Sequence, residues 1–139
     1  MTVLRAVLAC SLCLTACSGQ STSTANPQVL DFNQTIYLNG KAIQVAIFDT
    51  PAKREQGLMW VKELAPNYGA LFIFEREDKV NFWMKNTLIP LDIYFFDVHY
   101  KLVKLVKAAQ PCKESCEIYT AEPVIYVLEV ASVHNTIVN

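Results

Sequence analysis

Between Val29 and Val130 apolar side chains recur at every second position in several runs, the period of a strand with one face buried. The first two runs, Val29 to Leu38 and Lys41 to Phe48, are separated by Asn39-Gly40, which supplies the left-handed residues of a tight hairpin turn. Asp49-Thr50-Pro51 then offers a capping side chain and a first-turn proline, and Gly57 is a stop signal two turns later, so a short helix is predicted over residues 51–56. After the turn Pro66-Asn67-Tyr68-Gly69, the run Ala70 to Phe74 predicts a buried strand, and Glu75 to Lys79 a charged connector. Val80, Phe82 and Met84 share one strand face, and Leu91, Ile93 and Phe95 share another. Pro90 suits the entry to that second strand. Asp97 to Tyr100 predicts a turn, with His99 exposed on it, and Lys101 to Lys107 and Pro123 to Val130 predict two further strands. The pattern is therefore mainly β, of the α+β class: a small antiparallel sheet or partly closed barrel of about six or seven strands with one short helix. The short connectors fit no parallel crossover.

The stretch from Phe82 to Phe96 breaks the simple pattern, because aromatic, amide and charged side chains alternate inside an apolar run. Asn86 and Thr87 mark a bend. Asp92 falls one residue inside a strand, between Leu91 and Ile93, where a carboxylate must reach solvent or find donors, since an unpaired buried charge costs several kcal/mol. Trp83, Lys85, Asn86 and Thr87 are nearby donors, and Arg54 is the expected distant ion-pair partner. Two readings stand side by side: a corner network that fixes hairpin register, and a ligand site made of Arg54, Trp83, Lys85, Asn86, Thr87 and Asp92. Glu129 is a second carboxylate in an apolar strand, and alternation would put it on the outside. Met59 and Met84 read as core filler, and Lys62 and Glu63 as a solvated face.

The chain's beginning has another grammar. Arg5, the apolar run Ala6 to Leu14 and the small residues before Cys17 form a segment too short to span a bilayer, so residues 1–16 read as a cleaved signal peptide. Leu14-Thr15-Ala16-Cys17 resembles the lipobox of bacterial lipoproteins, which implies acylation of Cys17 and a membrane anchor. Ser18 resembles the sorting residue of lipoproteins sent to the outer membrane, so the expected location is the bacterial cell envelope, facing the periplasm. Residues 17–28 then form a polar tether with a reach on the order of 20 Å, and residues 29–139 a single domain. Of five cysteines, Cys10, Cys13 and Cys17 are accounted for by the signal and its lipid, leaving Cys112 and Cys116. An even pair in an oxidising compartment reads first as a disulfide. Neither His99 nor His134 lies at ligand spacing from the pair, so no metal and no cofactor are expected.

The 139 residues, 53% of them hydrophobic, suffice for one core. A formal net charge of -1 gives no electrostatic footprint for nucleic acid.

The segments Arg54 to Met59, Gly69 to Phe74, Phe82 to Ile93 and the strand ending Leu128-Glu129 resemble domain of unknown function family 192, found in bacteria and archaea. The resemblance implies a small, mainly β domain with no assigned activity or cofactor. Pro111-Cys112 and Cys116 match envelope variants of that family, so the chain resembles an envelope lipoprotein variant with an atypical or truncated C-terminus. Val61 stands where the family usually has Arg, and Ala70 where it usually has Met. Past the Leu-Glu strand the family continues with a Gly-containing helix and a final strand, whereas this chain has only Ala131 to Asn139.

Three functions fit these residues. One is a binding or accessory module whose corner captures a small molecule, glycan or peptide; another is an enzyme using Asp92 as acid or base with Arg54 as anion clamp; the third is a scaffold without a pocket. The chain has no Gly-x-Ser-x-Gly, no His-Glu-x-x-His and no phosphate loop, which tips the expectation away from catalysis and toward binding.

Overall fold

The computed structural model describes residues 28–133. The signal peptide, Cys17 and the tether up to residue 27 lie outside the described residues, as do residues 134–139. Six strands and one helix succeed one another as β1 (Gln34–Leu38), β2 (Lys41–Phe48), α1 (Pro51–Gln56), β3 (Tyr68–Phe82), β4 (Leu91–Phe96), β5 (Leu102–Ala109) and β6 (Tyr119–Ala131). They build one open sheet in the order β1-β2-β3-β6-β4-β5, and its edges β1 and β5 do not meet. The mainly β expectation holds, with an open sheet in place of a barrel.

One pairing departs from the expected antiparallel scheme: β2 and β3 run parallel, with Gln44 opposite Tyr68 and Phe48 opposite Phe72. Parallel neighbours need a crossover of a dozen or more residues. Residues 49–67, which hold α1 and the loop after it, provide one. A second departure concerns Glu75 to Lys79, which is part of the long β3 and not a connector. Its pairing with β6 shifts register between Ile73 and Val80, so the charged side chains stay exposed while the strand continues.

Local signals act where they were expected. Asn39 and Gly40 both have positive φ, 50° and 78°, and close the β1–β2 hairpin. Thr50 caps α1, its side chain accepting from the Lys53 amide at 3.3 Å, and the Gly57 amide donates to the Lys53 carbonyl. Gly57 takes φ 46°, ψ -138°, a conformation open to glycine alone. The expected tether end is tied down, because the Gln28 side-chain amide donates to the carbonyls of Gly57 and Met59.

The sheet is buried unequally on its two faces. One face carries the larger core, with Phe72, Met84, Leu91, Ile93, Phe95, Val124 and Val127 fully enclosed beneath Leu58 and Val61 of the crossover. Phe72 stacks on Phe48 at 4.9 Å and meets Phe82 edge-on at 5.0 Å, and Phe82 meets Phe95 at 5.6 Å. Each such pair contributes roughly 0.5–1.5 kcal/mol beyond its buried area. The opposite face carries a smaller cluster of Ile43, Val45, Leu128 and Val130. In consequence β6, lying between β3 and β4, is covered on both sides.

Candidate functional site

Between α1, the chain after it and the larger-core face of the sheet lies a cavity of about 300 Å³. Its aromatic walls are Phe72, Phe74, Phe82 and Trp83, and its polar lining includes Arg54, Asn81, Lys85, Thr87 and Glu129. Glu129 is the unexpected member. Alternation on β6 does separate it from Leu128 and Val130, but it turns Glu129 toward the larger core, opposite Ala70 on β3 and Ile93 on β4, so that only 4% of it is exposed. The expectation of an outward Glu129 fails because neither face of a central strand is outside. A continuous apolar run, Val124 to Leu128, was the available signal: such runs mark strands buried on both faces.

Among the described residues no donor hydrogen-bonds the Glu129 carboxyl, and burial pushes its pKa up from 4.5 to about 8. No fully enclosed side-chain oxygen or nitrogen lacks a partner among the described residues. The Glu129 oxygens therefore keep contact with the open space of the cavity. At neutral pH the group is chiefly an uncharged acid, able to donate one hydrogen bond and accept others.

Arg54 reaches the same cavity from α1. Its Nη1 donates to the Asp49 carbonyl at 2.8 Å and to the Ile73 carbonyl at 2.9 Å, and its guanidinium lies over the Phe74 ring at 5.0 Å. This orientation is the correction to the expected Arg54–Asp92 pair: Arg54 spends its inner donors on backbone carbonyls. Lys85 holds its ammonium 5.2 Å from the centre of the Trp83 ring. Neither cation has a carboxylate within ion-pair distance among the described residues, where the pairs found are Lys53–Asp49 and Arg76–Asp78.

The remaining expected site residues divide. Trp83 and Thr87 line the cavity, Trp83 half exposed and Thr87 buried. Asn86 lies behind it and joins loops, its carbonyl accepting from the Trp60 amide and its own amide donating to the Cys112 carbonyl. Asp92 is apart from the cavity. Its carboxylate accepts from the Ala108 amide at 2.8 Å, at a register shift between β4 and β5, and receives nothing from Trp83, Lys85, Asn86 or Thr87. Ala108 has φ 51°, so Asp92 pins an irregular backbone that the ladder leaves unpaired. Cys112 and Cys116 form a disulfide, and the loop they close lies against the corner through the Lys85–Cys112 bridge. Among the described residues no group of three His, Cys, Asp or Glu side chains could hold a metal ion, and no helix is long and apolar enough to cross a membrane.

The family model DUF192, described as Uncharacterized ACR, matches residues 34–134. The chain belongs to the DUF192 family. A solved structure of a protein of unknown function from Novosphingobium aromaticivorans is similar, with 30% identity, a TM-score of 0.63 and 71% of each chain covered. A Sinorhizobium meliloti protein provisionally called a transcription regulator is also similar, at 37% identity and a TM-score of 0.63 over 70% of this chain and 77% of that one. No curated protein matches. The cavity's helix, the long β3 and the Glu129 strand all fall inside the DUF192 match.

Proposed function

We propose that this DUF192 chain is a small-molecule binding module, anchored to the bacterial envelope by lipid on Cys17 and facing the periplasm at the outer membrane. The observation that carries the binding reading is the Glu129 carboxyl, nearly fully buried, without a hydrogen-bond donor among the described residues and lining an aromatic-walled cavity. Burying such a group without a protein partner costs stability, and a ligand that offers it a hydrogen bond offsets that cost. The anchoring part rests on Leu14 to Ser18 of the sequence. A net charge of -1 supplies no electrostatic footprint for nucleic acid, which speaks against a transcription-regulator role for this chain.

A screen of fragment-sized organic compounds by nitrogen–proton correlation NMR should move the signals of Gly57, the Arg54 Nε and the Trp83 indole together. Hits that leave these signals in place and cluster elsewhere would refute the cavity as the site. For the anchor, Cys17→Ser should release the domain from membranes or leave an uncleaved precursor. A lipidated, membrane-held Cys17→Ser product would overturn that part.

A catalytic reading has one observation in its favour, again at Glu129: a carboxyl with a pKa of about 8 is suited to exchange protons near neutrality. Asp92, engaged with the Ala108 amide outside the cavity, has no place in it. Activity that survives Asp92→Asn and is lost in Glu129→Gln would favour this reading over binding alone.

A further inference from the structure

The cavity's charges differ in what they leave available. Arg54 uses both Nη1 hydrogens on backbone carbonyls, which fixes the plane of the guanidinium on Phe74. Its Nε and Nη2 make no hydrogen bond among the described residues, and that edge forks naturally onto a carboxylate. Lys85, on the corner after β3, is likewise without a carboxylate partner there. A cationic ligand would meet two like charges, and the ring faces best able to hold it, those of Phe74 and Trp83, are already occupied by Arg54 and Lys85. Phe82 and Met59 remain as accessible apolar wall.

We propose that the cavity takes a small organic monoanion with an apolar body, such as an arylalkanoate, its carboxylate met by Arg54 and Lys85 and its body lying along Phe82 and Met59. The inference rests on the binding reading above and adds the ligand's chemical class. Glu129 makes the binding proton-linked. As a neutral acid it leaves the cavity's two cations unopposed from within, whereas its ionised form would set a negative charge against the ligand's own. Among the described residues the other ionisable groups lining the cavity are Arg54 and Glu55 on α1 and Lys85 on the corner, and β3 and β4 contribute none. Glu55 is solvent-exposed, and its charge is screened accordingly.

The test uses three probes of one shape on the folded domain: 3-phenylpropionate, 3-phenylpropionamide and 3-phenylpropylamine, titrated by NMR on the Gly57, Arg54 Nε and Trp83 indole signals. The acid should bind most tightly, and about tenfold more weakly at about pH 9 than at about pH 6, following a Glu129 pKa of about 8. Lys85→Gln should weaken the acid by about threefold, and Glu129→Gln should abolish the pH dependence. Amide or amine binding at the cavity as tightly as the acid overturns the anion assignment and leaves the binding module standing. Acid affinity equal at both pH values removes Glu129 from the account. Failure of all three probes to move the cavity signals overturns the ligand class, while the binding reading is decided separately by the fragment screen. The probe comparison needs no variant, so it decides the matter even if a substitution prevents folding.

Discussion

Replacing Glu129 with Gln should change how the domain's stability responds to pH, and by an amount set by the buried carboxyl. Its pKa is about 8 in the folded protein against an ordinary 4.5. Between those values the folded state keeps a proton that the unfolded chain has released. Stability therefore falls as pH rises through the window, by up to about 1.4 kcal/mol per pH unit, and levels off above the folded pKa. From about pH 5 to about pH 8 the loss from this one group is roughly 3 to 4 kcal/mol, a large share of the 5–15 kcal/mol typical of a domain. Gln has nearly the same shape and no charge to bury, so Glu129→Gln should lack this component while keeping every other carboxylate. Urea unfolding followed by tryptophan fluorescence, at steps across the window, gives both profiles. The difference between the proteins should widen steadily toward high pH in favour of Glu129→Gln. Two parallel profiles would refute the reasoning, because they would mean that Glu129 titrates alike in both states.

Three further outcomes are expected. Gly69→Ala should destabilise by about 1 to 3 kcal/mol, since a Cβ there would stand 2.8 Å from the Glu129 carbonyl oxygen; thermal unfolding indistinguishable from the parent would contradict the close β3–β6 approach. Asp92→Ala should cost about 1 to 3 kcal/mol by orphaning the Ala108 amide, and unchanged hydrogen exchange at Ala108 would remove that role from Asp92. Replacing Cys112 and Cys116 together with Ser should cost about 2 kcal/mol, the loop-closure entropy of so small a ring, checked by chemical denaturation. A doubly substituted protein as stable as the oxidised parent would show that the reduced loop is held equally well by its contacts with the corner.

The features legible in the sequence were those that neighbours along the chain decide. The Asn39-Gly40 turn, the helix 51–56 with its Thr50 cap, the exposed His99 and the Cys112–Cys116 closure each depend on a few adjacent residues. The parallel β2–β3 pair and the central place of β6 depend on which strand finds which neighbour, and no local pattern encodes that. The same distinction explains the site. Arg54, Trp83, Lys85 and Thr87 stand out as polar or aromatic residues of the helix and the bend, and they do line one cavity. Asp92 stands out for the same reason, yet a register shift 16 residues later in the chain gives its carboxylate another use. Glu129 was misplaced because alternation tells one face of a strand from the other without telling which is wet.

The cavity joins parts of very different rigidity. Its floor is β6, laddered to β3 on one side and β4 on the other, whereas α1 contributes no buried residue and is held by the Thr50 cap, the Arg54 link to Ile73 and, just past its end, the two Gln28 bonds to Gly57 and Met59. Local opening takes place where few buried contacts must be broken. Backbone amides of α1 should thus exchange with solvent well before those of β6 around Glu129. Fluctuation on the α1 side can therefore reshape the pocket wall while the acid at its base stays enclosed, without any unfolding of the sheet.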